Sequence, residues 1–129
     1  MSCNGSSTSG PAPVWTNKTT NTWLFHPLAP PESSVGVNSV RPTLEVSQSS
    51  GAIKVRPALR YSSDLNTFES AVAIDAANMT QTNDGTKYGT WTDIQTGQKN
   101  FVQFGVEVEN DSGTGTELAM VTLRLDRKS

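Results

Sequence analysis

Catalytic chemistry has few places to start in this chain. One histidine, His26, stands directly before Pro27, and one cysteine, Cys3, lies among Ser, Asn and Gly residues. A Ser-His-Asp or Cys-His relay would need His26 as its base. No Gly-x-Ser-x-Gly turn presents a nucleophile to it, so His26 reads as a half-exposed histidine at a strand end. Glu107 and Glu109 lie two apart, near Asp111 and Glu117. They share the spacing of a glycosidase pair and nothing else. They read as solvated charges that guard a sheet against edge pairing. Asn83-Asp84-Gly85 and residues 110–113 offer oxygen ligands in glycine loops, as calcium would need. Neither follows the D-x-D-x-D-G pattern, and turn formation accounts for both. Zinc needs His/Cys clusters that the sequence lacks. The expectation is no catalytic residue, no metal and no cofactor.

Recognition chemistry is better represented. Trp15, Trp23, Tyr88 and Trp91 lie in or beside polar stretches rather than in apolar rows. Exposed aromatic residues stack on sugar rings or fill a partner's pocket; buried ones would plug the ends of the fold. Arg41, Arg56, Arg60, Arg124 and Arg127 fall on polar strand faces or at a strand end, and arginine is enriched at protein interfaces. The residues expected to touch a partner are Val14, Trp15, Trp23, Phe25, Tyr88 and Trp91.

The elements that must position these residues are strands. Residues 101–109 read FVQFGVEVE, with Val102, Phe104, Val106 and Val108 on one face. Ala119, Val121, Leu123 and Leu125 form a second apolar row. Both have the period of two that marks a half-buried strand. The linker between them is rich in Asn, Asp, Ser and Gly, and predicts a hairpin that pairs Val108 with Ala119 and Val102 with Leu125. A second hairpin is predicted upstream, where residues 40–47 (VRPTLEVS) and 55–62 (VRPALRYS) share the pattern V-R-P-x-L-x-x-S. There Val46 would face Ile53, Glu45 would face Lys54, and Pro42 would face Pro57. The two prolines argue for sheet edges or bulges, because proline cannot donate to a ladder. Val14-Trp15 and Trp23–Phe25 predict one edge strand ending at Pro27. Phe68, Ser70, Val72 and Ile74 alternate inward, Ala76–Met79 is one possible helical turn, 80–90 is a polar loop, and Trp91–Ile94 is a short strand. Seven or eight close-spaced strands without a long helix predict an all-β fold, an antiparallel β-sandwich or jelly roll.

Composition narrows the classes further. The chain has 129 residues, enough for one domain with its own core. Ten Lys and Arg stand against 12 Asp and Glu, so no basic excess points to nucleic acid. Apolar residues make up 34%, held down by a polar N-terminal segment. Residues 1–13 are expected to be a flexible arm and 14–129 a single sandwich domain. A lone cysteine excludes an internal disulfide. The first residues lack the basic and apolar regions of a signal peptide, and no apolar run reaches the length of a membrane span. Synthesis in a cytoplasm without membrane attachment is expected.

Residues 56–64 followed by 68–74, and 100–113 followed by 118–126, resemble small β-sandwich structural proteins of tailed bacteriophages and prophages. The resemblance covers roughly residues 40–126. It implies a non-enzymatic virion component, such as a capsid decoration or cementing protein or a head or tail accessory subunit. Its implied partners are other virion proteins and copies of itself, engaged through the arm and an exposed sheet. The alternative class is a carbohydrate-binding module, with Trp15, Trp23, Tyr88 and Trp91 as its platform. Two of these rings converging on one exposed strip would favour that class.

Overall fold

The computed structural model describes residues 3–16, 23–50, 53–82, 84–110 and 117–129, with side chains over 23–47, 54–82, 84–109 and 120–129. The strands are β1 (Cys3–Thr16), β2 (Leu24–Pro27), β3 (Glu32–Ser33), β4 (Ser39–Ser50), β5 (Ile53–Ser62), β6 (Val72–Ala73), β7 (Gly85–Tyr88), β8 (Thr92–Asp93), β9 (Phe101–Asn110) and β10 (Glu117–Lys128). One helical turn, α1 (Ala76–Met79), lies between β6 and β7.

Two antiparallel sheets face each other. The first has the order β1-β10-β4-β7, with β8 also on β4. The second has the order β2-β9-β5-β6, with β3 also on β9. Because β7 and β8 share one edge of β4, and β2 and β3 share one edge of β9, the ten segments fill eight strand positions. Their order is that of a jelly roll, the architecture of many capsid and lectin domains.

Both expected hairpins are overturned. β9 pairs with β2, β3 and β5, whereas β10 pairs with β1 and β4. β5 pairs with β9 and β6, and β4 with β10, β7 and β8. Consecutive long strands therefore arch from one sheet to the other. The apolar rows still meet, but across the core rather than side by side. Val102, Phe104, Val106 and Val108 of β9 are buried with Leu44 and Val46 of β4, Val55 and Leu59 of β5, and Val121, Leu123 and Leu125 of β10. A period of two requires only that the row meet apolar surface, and a facing sheet meets that need as well as an adjacent strand.

Several local expectations also change. The single edge strand expected at 14–27 is two strands on different sheets. The backbone of β1 runs along β10, from Cys3↔Lys128 to Thr16↔Glu117. The unpaired N–H and C=O groups of a sheet edge supply those partners. β7 forms inside the stretch read as a polar loop. The Phe68–Ile74 strand shrinks to Val72–Ala73, with Val72 55% exposed and only Ile74 fully buried.

Pro42 and Pro57 lie in strands with partners on both sides, not at edges. The Gly89 N–H donates to Pro42 O at 2.8 Å, and the Ile74 N–H donates to Pro57 O at 2.9 Å. A residue's N–H and C=O point to the same side of an antiparallel strand. Each proline therefore turns its missing donor toward the short outer strands and keeps the long central partner's ladder intact.

Candidate functional site

The repeated V-R-P-x-L pattern places two arginines in equivalent positions on the two outer faces. Arg56 on β5 stands opposite Glu107 on β9, and its Nε donates to Glu107 Oε1 at 2.9 Å. Its guanidinium carbon lies 3.8 Å from the centre of the Trp23 ring. Arg41 on β4 stands opposite Asp126 on β10, and its Nε and Nη2 both donate to Asp126 Oδ2, at 3.0 and 2.7 Å. Its guanidinium carbon lies 5.0 Å from the Trp91 ring centre. Each sheet thus carries an arginine held between a carboxylate on the next strand and a tryptophan face, which combines a charge-assisted hydrogen bond with a cation–π contact.

The outer face of the second sheet is closed. Lys54–Glu109 (3.8 Å), Arg56–Glu107 and Arg60–Gln103 (2.8 Å) form successive rungs between β5 and β9. Glu107 is 7% exposed and Glu109 9%, so the expected solvated charges are buried and paired. Arg60 lies between the Phe25 ring at 5.0 Å and the Phe68 ring at 4.2 Å. The Gln103 amide donates to Ala29 O at 3.0 Å, which fixes the connector after β2 over the sheet. In the gap between the rungs, Ala58 stands opposite Gly105, where the backbone of His26 and Pro27 passes. A Cβ on Gly105 would lie 2.2 Å from His26 O, so only glycine admits this crossing.

The outer face of the first sheet is open. Arg124, Thr43 and Tyr88 stand in one row across β10, β4 and β7, and Asp126 and Arg41 stand in the next. With Gly89 they line a depression of ≈ 320 Å³. The Tyr88 side chain is 78% exposed. Trp91 is half-buried, with Lys128 Nζ 4.6 Å and Arg41 5.0 Å from its ring centre.

The residues expected to touch a partner are therefore divided. Tyr88 and Trp91 converge on the outer face of the first sheet, while Trp23 and Phe25 roof the second. Val14 and Trp15 lie in β1, with backbones opposite Ala119 and Leu118; their side chains fall outside the described residues. The reading that all the aromatics plug the sandwich ends does not hold for Trp23 and Trp91, which lie over strand-face arginines. Phe68, expected to face inward, lies over Arg60 instead, and the grouping of each arginine with a tryptophan was not anticipated. The repeated motif was the signal that could have found the grouping.

Arg127 ends the inward row of β10 instead of facing solvent. Its Nη2 donates to Glu32 Oε1 of β3 at 2.7 Å, which joins the two sheets at one end of the sandwich. His26 is half-buried in β2, and burial lowers its imidazole pKa. Its Nε2 has no hydrogen-bond partner among the described residues. Those residues hold no group of three His, Cys, Asp or Glu side chains placed to bind a metal. Asn83 and residues 111–113, where the calcium loops were considered, are outside them.

No family model and no curated protein matches this sequence. Solved structures share its fold. A chain from the structure of infectious bursal disease virus Gx strain superposes with a TM-score of 0.57 and 10% identity, over 97% of this chain and 32% of that one. A chain from the infectious bursal disease virus VP2 subviral particle superposes with a TM-score of 0.59 and 10% identity, over 96% and 32%. The chain spans about a third of the length of those structures. The likeness is one of fold, a jelly roll that also occurs within a viral particle.

Proposed function

We propose that the chain is a non-enzymatic structural subunit of a virus particle, acting by contact with other virion proteins and with copies of itself. The observation that carries this reading is the superposition of nearly the whole chain on chains from a viral particle. The sequence resemblance adds the finer assignment, a decoration, cementing or accessory subunit of a tailed phage. In this reading the arm of residues 1–13, Val14 and the aromatics Trp15, Trp23, Phe25, Tyr88 and Trp91 form the contact surface. β1 is an edge strand with two register shifts along β10. Such a strand can leave its own sheet and pair with a neighbour's, and a lattice that repeats one weak contact gains avidity.

The test is a truncation. A chain lacking residues 1–13 is expected to stay folded and to lose incorporation when co-expressed with the particle proteins of its source. Undiminished incorporation removes the arm from the contact. Failure of the full-length chain to join any particle removes the virion reading.

A further inference from the structure

We propose that the depression on the outer face of the first sheet binds a sugar bearing a carboxylate, with Tyr88 as the stacking platform and Arg124 as the carboxylate anchor. The proposal goes beyond the virion reading and does not depend on it.

Three observations carry it. First, Tyr88 is 78% exposed on a four-residue strand beside a depression of ≈ 320 Å³. An aromatic ring held in water beside a polar hollow suits the apolar face of a pyranose, which stacks on aromatic side chains. Second, Arg124 is exposed in the same row, two strands from Tyr88 and beside Thr8 of β1, and among the described residues no carboxylate pairs with it. A planar guanidinium takes a carboxylate in a two-point contact. Third, the groups between are fixed and hydroxyl-compatible. Both bonds from Arg41 to Asp126 end on Oδ2, which leaves Oδ1 to accept from a sugar hydroxyl. Thr43 lies between Arg124 and Tyr88 and can donate or accept. Trp91, flanked by Arg41 and Lys128, supports Arg41 from the side and is a positioning residue.

Close packing holds Gly89 against β4. The Gly89 N–H is bonded to Pro42 O, and a Cβ on Gly89 would approach Pro42 atoms to 2.9 Å. The local charge also suits an anion. Two arginines and one aspartate line the depression, giving +2 − 1 = +1, on a chain whose formal net charge is −2. The lining has no apolar pocket for a peptide side chain beyond the Tyr88 ring. Only one of its two arginines is uncommitted, fewer donors than a phosphate site usually gathers.

The full chain would be titrated with methyl β-glucuronide, a methyl sialoside, methyl β-glucoside, inorganic phosphate and an oligoglutamate peptide, following backbone amide shifts by NMR. At least one acidic sugar is expected to saturate, with shifts centred on Thr43, Tyr88 and Arg124, at a roughly millimolar Kd. It should bind about tenfold tighter than the neutral glucoside, the scale of one charge-assisted contact. Tyr88→Ala should abolish binding of both sugar types. Arg124→Gln should remove the acidic preference and leave the weak neutral binding. Both positions are exposed, so the two variants should keep the wild-type amide dispersion. No saturable shift with either acidic sugar overturns the proposal. So does binding of phosphate or the peptide as tight as that of the acidic sugar, or full binding by Tyr88→Ala.

Discussion

Glu107 shows what a carboxylate does when a sheet's outer face is roofed. It is paired with Arg56, and both side chains are mostly buried, at 9% and 21% exposure. Removing one partner of a buried pair leaves the other charge without compensation. Glu107→Ala is expected to destabilise the fold by about 3 kcal/mol in chemical denaturation. A change below roughly 0.5 kcal/mol, the value of an exposed pair, would place the pair in solvent. His26 makes a pH prediction. Burial lowers its folded pKa below the ordinary imidazole value, so below about pH 6.5 the unfolded chain takes up a proton that the folded chain refuses. Stability is then present above that pH, falls as pH drops toward the folded value, and levels off beneath it. His26→Gln should flatten the dependence between about pH 7 and 5 in thermal melts; an unchanged slope would assign it to other groups. Asp64 acts in a lower window. Its Oδ1 accepts from the backbone N–H groups of Thr67 and Asn66, both at 2.9 Å, and these bonds hold its pKa below the ordinary carboxylate value. Its contribution is present above about pH 4 and is lost as pH falls further.

Among the elements, β2 depends most on a single residue. The Gly105 crossing leaves no room for a methyl group, so Gly105→Ala should push β2 off β9 and cost about 1–3 kcal/mol, the usual penalty for overpacking. Hydrogen exchange would show the loss at residues 24–27, and protection equal to wild type there would contradict the crossing. The long strands were legible in the sequence: alternation alone finds β4, β5, β9 and β10 and most of their inward residues, though not Arg127 of β10. Strand pairing was not legible, because alternation records which face is buried and not which strand lies alongside. Short β7 was hidden because its residues, Gly85–Tyr88, have no apolar row of their own and are held by backbone bonds to β4. The site was partly legible. The aromatics stood out by their polar surroundings, but their division between two sheets depends on a strand order that local sequence does not encode.

At the scale of the whole molecule, light scattering over a concentration series separates the two larger readings. A stable trimer or closed ring would fit a particle subunit built on symmetric self-contact. A strict monomer that still joins particles would fit a decoration protein that waits for a lattice. The core makes a firmer prediction. Phe104 is 1% exposed between the sheets, and Phe104→Ala should cost about 3–5 kcal/mol. A smaller loss would mean that the facing strands close into the space.

The arching connections also set how this chain must fold. β10 lies between β1 and β4, and Cys3 pairs with Lys128. The first sheet has no middle until residues 117–128 are in place. Strands adjacent in the sheets are mostly distant along the chain, so loop entropy is lost before contacts repay it, and folding should be slow. On the ribosome, β4 and β5 emerge long before β10 and β9, their long partners. Until β9 and β10 follow, two apolar strands wait with open edges, and this interval is when the chain is most exposed to aggregation.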